Sequence, residues 1–207
     1  MLKYSMFKQY KRFISQYISL NAIEWSLFQS RLSMKRYAKG ETILHQGDIC
    51  KELYFINRGL ARGYIIDESG KDFTWGIFFN DSTAHMTNIF VVEYDSFLRQ
   101  SASSIHIEAL EECEIVAVSY DDVRFLYKSL KKGERFGRLM AEEAYSYLHN
   151  MTIERQTKSA KQRFEKFMHE TPHLLDKVPQ YHIATFLGIT PQHLSRLKKE
   201  KSINICE

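Results

Sequence analysis

The sequence predicts an α+β chain: an N-terminal antiparallel β-roll or jelly roll, one long helix, and a C-terminal all-α helix-turn-helix. Three observations predict it. From Lys35 to about Val118, short runs of β-branched and aromatic residues recur between turn residues. From Glu134 to Arg155 the chain holds no Pro and a single Gly, with apolar residues at helical spacing. From Pro179 to Lys198, apolar residues repeat at helical spacing on both sides of Gly188.

Composition sets the frame. With 207 residues, 44% apolar and 26% charged, the chain can bury a core and fill one large or two modest domains. No apolar run approaches the roughly 20 residues of a membrane span, and Lys3 and Lys8 interrupt any signal-peptide core. The cytoplasm is the expected compartment, with no membrane partner. Cys50, Cys113 and Cys206 form no C-x-x-C pair, which argues against a disulfide framework and against cysteine-bound zinc. His169 and His173 are four apart, but Glu170-Thr-Pro172 between them reads as a helix end, so solvated histidines are expected and no metal site. No nucleophile–base motif or phosphate loop appears, so no catalytic residue is assigned and an enzyme is not expected.

In chain order, Tyr4 to Met34 reads as helical, with Phe7, Phe13, Ile14, Tyr17 and Ile18 on recurring faces. Six strands follow: Thr42–Leu44, Leu53–Ile56, Ala61–Ile66, Phe73–Phe79, Ser104–Ala109 and Glu114–Val118. Gly40, Gly47-Asp48, Gly59, Gly70 and Asn80-Asp81 punctuate them, as expected of an antiparallel barrel or jelly roll. Between Ser82 and Gln100 the rhythm breaks, and a short helix is expected around Asn88 to Phe97. Trp75 to Phe79 with His85-Met86 reads as core, with a small apolar cavity as the alternative. Ser119-Tyr-Asp-Asp122 caps a helix over Val123 to Leu130. In the long helical stretch, Gly137, Met140, Ala144, Tyr147 and Met151 alternate three- and four-residue steps, the seam of a two-helix dimer contact, while Phe136 and Leu139 pack on the roll. Ser159 to Glu170 forms a further helix with Phe164, Phe167 and Met168 apolar. The expected divisions are a sensor roll over 1–130, a dimerisation helix over 131–156, and a helix-turn-helix domain over 157–207.

The last segment carries the chemistry. Pro179 opens one helix, Gly188 ends it, Thr190 caps a second, and Pro191 sits in its first turn. Leu194 and Leu197 give the second helix one apolar stripe, leaving Gln192, His193, Ser195, Arg196 and Lys199 on other faces. Gln pairs bidentately with adenine and Arg with guanine, and Gln192 and Arg196 share a face at four-residue spacing. Thr190 is placed for a phosphate, where the helix N–H groups also point. Thr190, Gln192, His193, Ser195, Arg196 and Lys199 are therefore the candidate DNA-binding set. From Thr157 onward nine basic residues face five acidic ones, which accounts for the whole net charge of +4. The competing reading is a ligand-binding or protein-interaction module whose terminal helices only pack.

This order of parts resembles the Crp/Fnr family of bacterial transcription regulators. The resemblance rests on Lys39-Gly-Glu-Thr-Ile-Leu-His-Gln-Gly-Asp48 with Leu53-Tyr-Phe-Ile-Asn-Arg-Gly59, which look like the opening of the cyclic-nucleotide-binding fold. Ile107-Glu-Ala-Leu-Glu111 resembles its pocket-closing strand, and Gly188-Ile-Thr-Pro-Gln-His-Leu-Ser-Arg196 resembles the recognition helix. The likeness implies base contacts from Gln192, Ser195 and Arg196 and a phosphate contact from Thr190. It implies as partners a second copy of the chain, a two-fold symmetric DNA operator, RNA polymerase, and a small-molecule effector of unknown identity. Members that bind cyclic AMP carry a Gly-Glu at a short helix and an Arg about ten residues on. Here those positions fall near Val92-Glu93 and Ser103; the Glu is present, and the Gly and Arg are not. Arg99 lies nearby in another register. Glu93, Arg99, Ser103 and Ser104 are thus the candidate effector pocket, yet no cyclic AMP binding is expected, because a buried phosphate without a cation is costly. The N-terminal cysteine cluster of oxygen-sensing members is missing, so no iron–sulfur cofactor is expected. A short tail, Lys201 to Glu207, stands where the family's wing hairpin would be.

Overall fold

A computed structural model describes residues 7–203, with side chains through residue 200. The expected helix start at Tyr4, the tail beyond Ile203 and Cys206 lie outside the described residues. Eight antiparallel strands form two four-stranded sheets among them. They are β1 (Ser33–Tyr37), β2 (Thr42–Leu44), β3 (Glu52–Arg58), β4 (Leu60–Ile66), β5 (Asp72–Phe79), β6 (Phe90–Val91), β7 (His106–Ala109) and β8 (Cys113–Ser119). One sheet runs β1-β8-β3-β6 and the other β2-β7-β4-β5. Register is set on β8, where Val116 faces both Met34 of β1 and Phe55 of β3.

Period-two alternation sorts the side chains into three cores. On the first sheet, Tyr54, Ile56, Cys113, Ile115 and Ala117 point into the roll, where Phe78, Phe97, Ile105 and Ile107 meet them. Phe55 and Val116 point the other way, under α1 (Lys8–Ile14) and α2 (Ala22–Gln29). Because both faces are covered, β8 reads as an almost unbroken apolar run. On the second sheet, Ala61 and Phe78 point inward, whereas Leu60, Ile77 and Phe79 point outward into the C-terminal helices. Removing a residue such as Phe55 from water is worth about 1.5–3 kcal/mol, so each cover is substantial.

Helices connect and cap the sheets. They are α3 (Met86–Ile89), α4 (Tyr94–Arg99), α5 (Tyr120–Ser129), α6 (Lys131–Thr157), α7 (Ala160–Glu170), α8 (Leu174–Lys177), α9 (Gln180–Phe186) and α10 (Pro191–Ile203). The expected single N-terminal helix is two helices, because Asn21 and Glu24 form a capping box that restarts the chain. Its last residues belong instead to β1, which pairs with β8. The expected helix over Asn88 to Phe97 is α3, the short strand β6 and α4 in succession. Ser119 caps α5 by accepting from the Asp122 N–H, and Ser159 with Gln162 caps α7 reciprocally.

Candidate nucleic-acid interface

The turn between α9 and α10 is built by one glycine. Gly188 adopts φ +67, and the Ile189 and Gly188 N–H groups close on the carbonyls of Ala184 (2.9 Å) and Thr185 (3.1 Å). That pair of bonds ends α9 and turns the chain. The Thr190 side-chain oxygen then accepts the His193 N–H at 3.2 Å, capping α10 while its own proton stays available to a partner oxygen. Ile183, Ala184, Leu194 and Leu197 are buried between the two helices and α7, with Phe164 and Phe167 beneath them. Thr190, Gln192, Ser195, Arg196 and Lys199 are exposed, and His193 is half-buried.

The first helix of the pair is anchored on the roll, which the sequence reading did not foresee. Thr185 donates its hydroxyl to Thr74 Oγ1 (3.0 Å) and accepts the Thr74 N–H (3.2 Å), both residues being buried. Beside them Arg62, 4% exposed, forms a bidentate pair with Asp72 (2.8 and 2.6 Å) and a third bond to Glu108 (2.6 Å). Its Nη1 lies 2.8 Å from His182 Nδ1 on α9. The guanidinium is always a donor, so Nδ1 accepts and the imidazole is neutral, with its proton on Nε2. Burial, and then the adjacent Arg62 charge, hold the His182 pKa below its ordinary value. Burial opposes the Arg62 charge as well, but the hydrogen bonds it donates to Asp72 and Glu108 outweigh that and raise its pKa. The available signal was Arg62 in the strand Ala61–Ile66, at the same parity as Leu60, hence on the outward face.

Two expected groupings are not assembled as expected. The seam Gly137, Met140, Ala144, Tyr147 and Met151 is turned toward its own chain. Met140 and Ala144 lie in the core under α1 and α2, and a Cβ on Gly137 would fall 2.0 Å from the Tyr127 hydroxyl. Tyr147 and Met151 are half-buried against the roll and α7. One seam serves one partner, and here the partner is the roll. The face of α6 left to solvent carries Ala141, Tyr145, Leu148 and Thr152 instead.

The four candidate effector residues do not converge. Glu93 caps α4 through the Ser96 N–H (2.6 Å), and Arg99 is exposed and paired with Asp95 (2.7 Å). Ser103 is buried with its hydroxyl on the Ile105 carbonyl, and Ser104 is exposed. Tyr54, Phe78, Phe97 and Ile105 fill the roll interior behind them. Of the aromatic run, Ile77, Phe78 and Phe79 are core, as is Met86, and Trp75 is partly exposed; Ile77, Phe79, His85 and Met86 also border a cleft outside the roll.

Known proteins match these parts. Residues 34–130 match the cyclic nucleotide-binding domain family. Over 104 residues, 50% of this chain, the sequence is 29% identical to the cAMP-activated global transcriptional regulator CRP of Salmonella typhimurium. The match spans 45% of that relative's length. Among solved structures, FixK2 of Bradyrhizobium japonicum superposes with a TM-score of 0.70 at 15% identity, over 84% of this chain and 85% of that one. The c-di-GMP responsive regulator CLP of Xanthomonas campestris gives 0.64 at 14% identity, over 89% and 93%. A Crp/Fnr regulator from Eubacterium rectale gives 0.64 at 19%, over 89% and 85%. Residues 34–130 thus carry a match to the cyclic nucleotide-binding domain family, and the chain as a whole shares its fold, a β-roll followed by a helical C-terminal part, with these solved regulators.

Proposed function

We propose that the chain is a sequence-specific DNA reader that works as a homodimer, with α10 as the helix that enters the major groove. The observation that carries this is the outward face of α10: Gln192, Ser195, Arg196 and Lys199 are all exposed on a helix locked from behind by Leu194 and Leu197. Gln192 and Arg196 supply bidentate donors for adenine and guanine edges. Thr190, at the positive end of the helix, and Lys199 supply phosphate contacts. His193, half-buried, borders that face. CRP, the relative named above, is a transcriptional regulator, which supports the same reading.

Dimerisation is assigned to the outer face of α6. Ala141, Tyr145, Leu148 and Thr152 follow one another at four-, three- and four-residue steps, and Tyr145 is 71% exposed. Pairing there would place two copies of α10 for a two-fold symmetric site. Leu148→Asp puts a charge into that seam without touching the core, and is expected to yield a folded monomer in sedimentation velocity. A variant that stays dimeric would place the contact elsewhere.

The test of DNA reading is selection of genomic fragments by the purified full chain without added ligand. Enrichment of a two-fold symmetric site supports the proposal. If the folded protein enriches nothing, with or without small-molecule extract, the chain is a binding module whose terminal helices only pack.

A further inference from the structure

Between the roll, α6 and the C-terminal helices lies a cleft of about 400 Å3, within the size range of small-molecule sites. Its walls come from three parts of the chain: Phe79 and Met86 from the roll, Met151 from α6, Phe167 from α7. Two guanidinium groups, Arg155 and Arg163, line it as well. Arg155 lies over the rings of Phe73 and Trp75 at 5.6 and 5.4 Å, and its Nη2 is buried with no hydrogen-bond partner among the described residues. Arg163 donates to the main-chain carbonyls of Leu187 and Lys158. The nearby carboxylate of Glu154 is already engaged by Lys158 and Lys166 at 2.7–2.8 Å, and Glu170 is also paired with Lys166. Burial pulls the Arg155 guanidinium below its ordinary pKa, with Arg163 adding to the effect. Two half-buried neighbouring cations, one with a buried unmet donor, beside an apolar wall, form half of an anion site.

We propose that this cleft binds a small organic anion, with its carboxylate or phosphate head on Arg155 and Arg163 and its apolar body against Phe79, Met86, Met151 and Phe167. The site is separate from Glu93, Arg99, Ser103 and Ser104, none of which borders the cleft. A ligand there touches the roll, the long helix and the C-terminal domain together, so its occupancy biases the pose of α10. That last step rests on the DNA reading proposed above; the binding itself does not.

The experiment is a fluorescence titration of the full chain, without DNA, by 1-anilinonaphthalene-8-sulfonate, an apolar body with an anionic head. One saturable site is expected, with energy transfer from Trp75 in a Trp25→Phe background. Octanoate and octyl phosphate should displace the dye and octanol should not; the tighter of the two anions identifies the head group. Arg155→Gln should weaken binding at least about tenfold, as loss of a charge-assisted contact does, and Met151→Trp should fill the cleft and abolish it. Should either variant fail to fold, displacement and Trp75 transfer in the Trp25→Phe chain decide. No saturable binding, displacement by octanol as effective as by the anions, or unchanged affinity in folded Arg155→Gln and Met151→Trp would overturn the proposal. Anion binding that leaves DNA affinity unchanged overturns the coupling and not the site; a chain that binds the anion but never DNA overturns the DNA reading and not the site.

Discussion

The two helices of the helix-turn-helix carry opposite kinds of surface. α9 buries Ile183, Ala184 and Thr185 and is tied to β4 and β5 through Arg62, Thr74 and Asp72. α10 packs through its inner stripe, Leu194 and Leu197, and turns Gln192, Ser195, Arg196 and Lys199 to solvent. One helix sets position and the other offers chemistry. The pose of α10 therefore depends on how α9 is anchored to the roll, and the anchor and the exposed face can be broken separately by substitution.

The largest effect is expected at the anchor. Arg62→Met leaves Asp72 and Glu108 side by side without their cation, and removing one partner of a buried ion pair typically costs about 3–5 kcal/mol. Because the carboxylates are about a fifth exposed, the lower end applies. Urea unfolding reads this directly, and a loss under about 1 kcal/mol would show that the cluster does not hold α9 to the roll. Thr185→Val is a finer cut. It keeps the shape but leaves the buried Thr74 N–H unmet, for an expected loss of about 1–3 kcal/mol. A neutral result would mean that apolar contact alone docks α9.

A smaller effect at the anchor depends on pH. His182 is neutral when docked and its pKa is depressed, so the unfolded chain takes up that proton at higher pH than the folded one. The contribution is complete above about 6.5, the ordinary histidine value, and is lost as pH falls below it. His182→Asn should flatten the stability slope between about pH 7.5 and 5.5. Equal slopes in parent and His182→Asn would remove His182 from the anchor.

Much of this was legible in the sequence, for definite reasons. Gly188, Thr190, Leu194 and Leu197 obey local rules of capping and spacing, and they occupy the roles that spacing assigned. Six of the eight strands were visible from alternation and turn residues, whereas β1 was hidden because Ser33–Tyr37 pairs with β8, some eighty residues away. The long helix misled differently. Gly137, Met140 and Ala144 do form a seam, but spacing does not say which partner fills it, and the roll does. Arg62 escaped because its partners Asp72, Glu108 and His182 come from three separate segments. Glu93 and Ser103 were located through a family pattern of which this chain keeps the Glu but not the Gly or the Arg, and here Glu93 caps a helix and Ser103 bonds its own loop.

The central claim is that the outward face of α10 reads DNA. It is tested most directly by fluorescence anisotropy titration of a selected genomic fragment with the parent chain and Arg196→Ala, at one stated salt concentration. Arg196 is exposed, so the unfolding midpoint should stay within about 0.5 kcal/mol of the parent. The predicted result is a loss of about 1–3 kcal/mol in affinity for the selected fragment, concentrated at one base position of the site. Unchanged affinity in a folded Arg196→Ala protein would contradict the account.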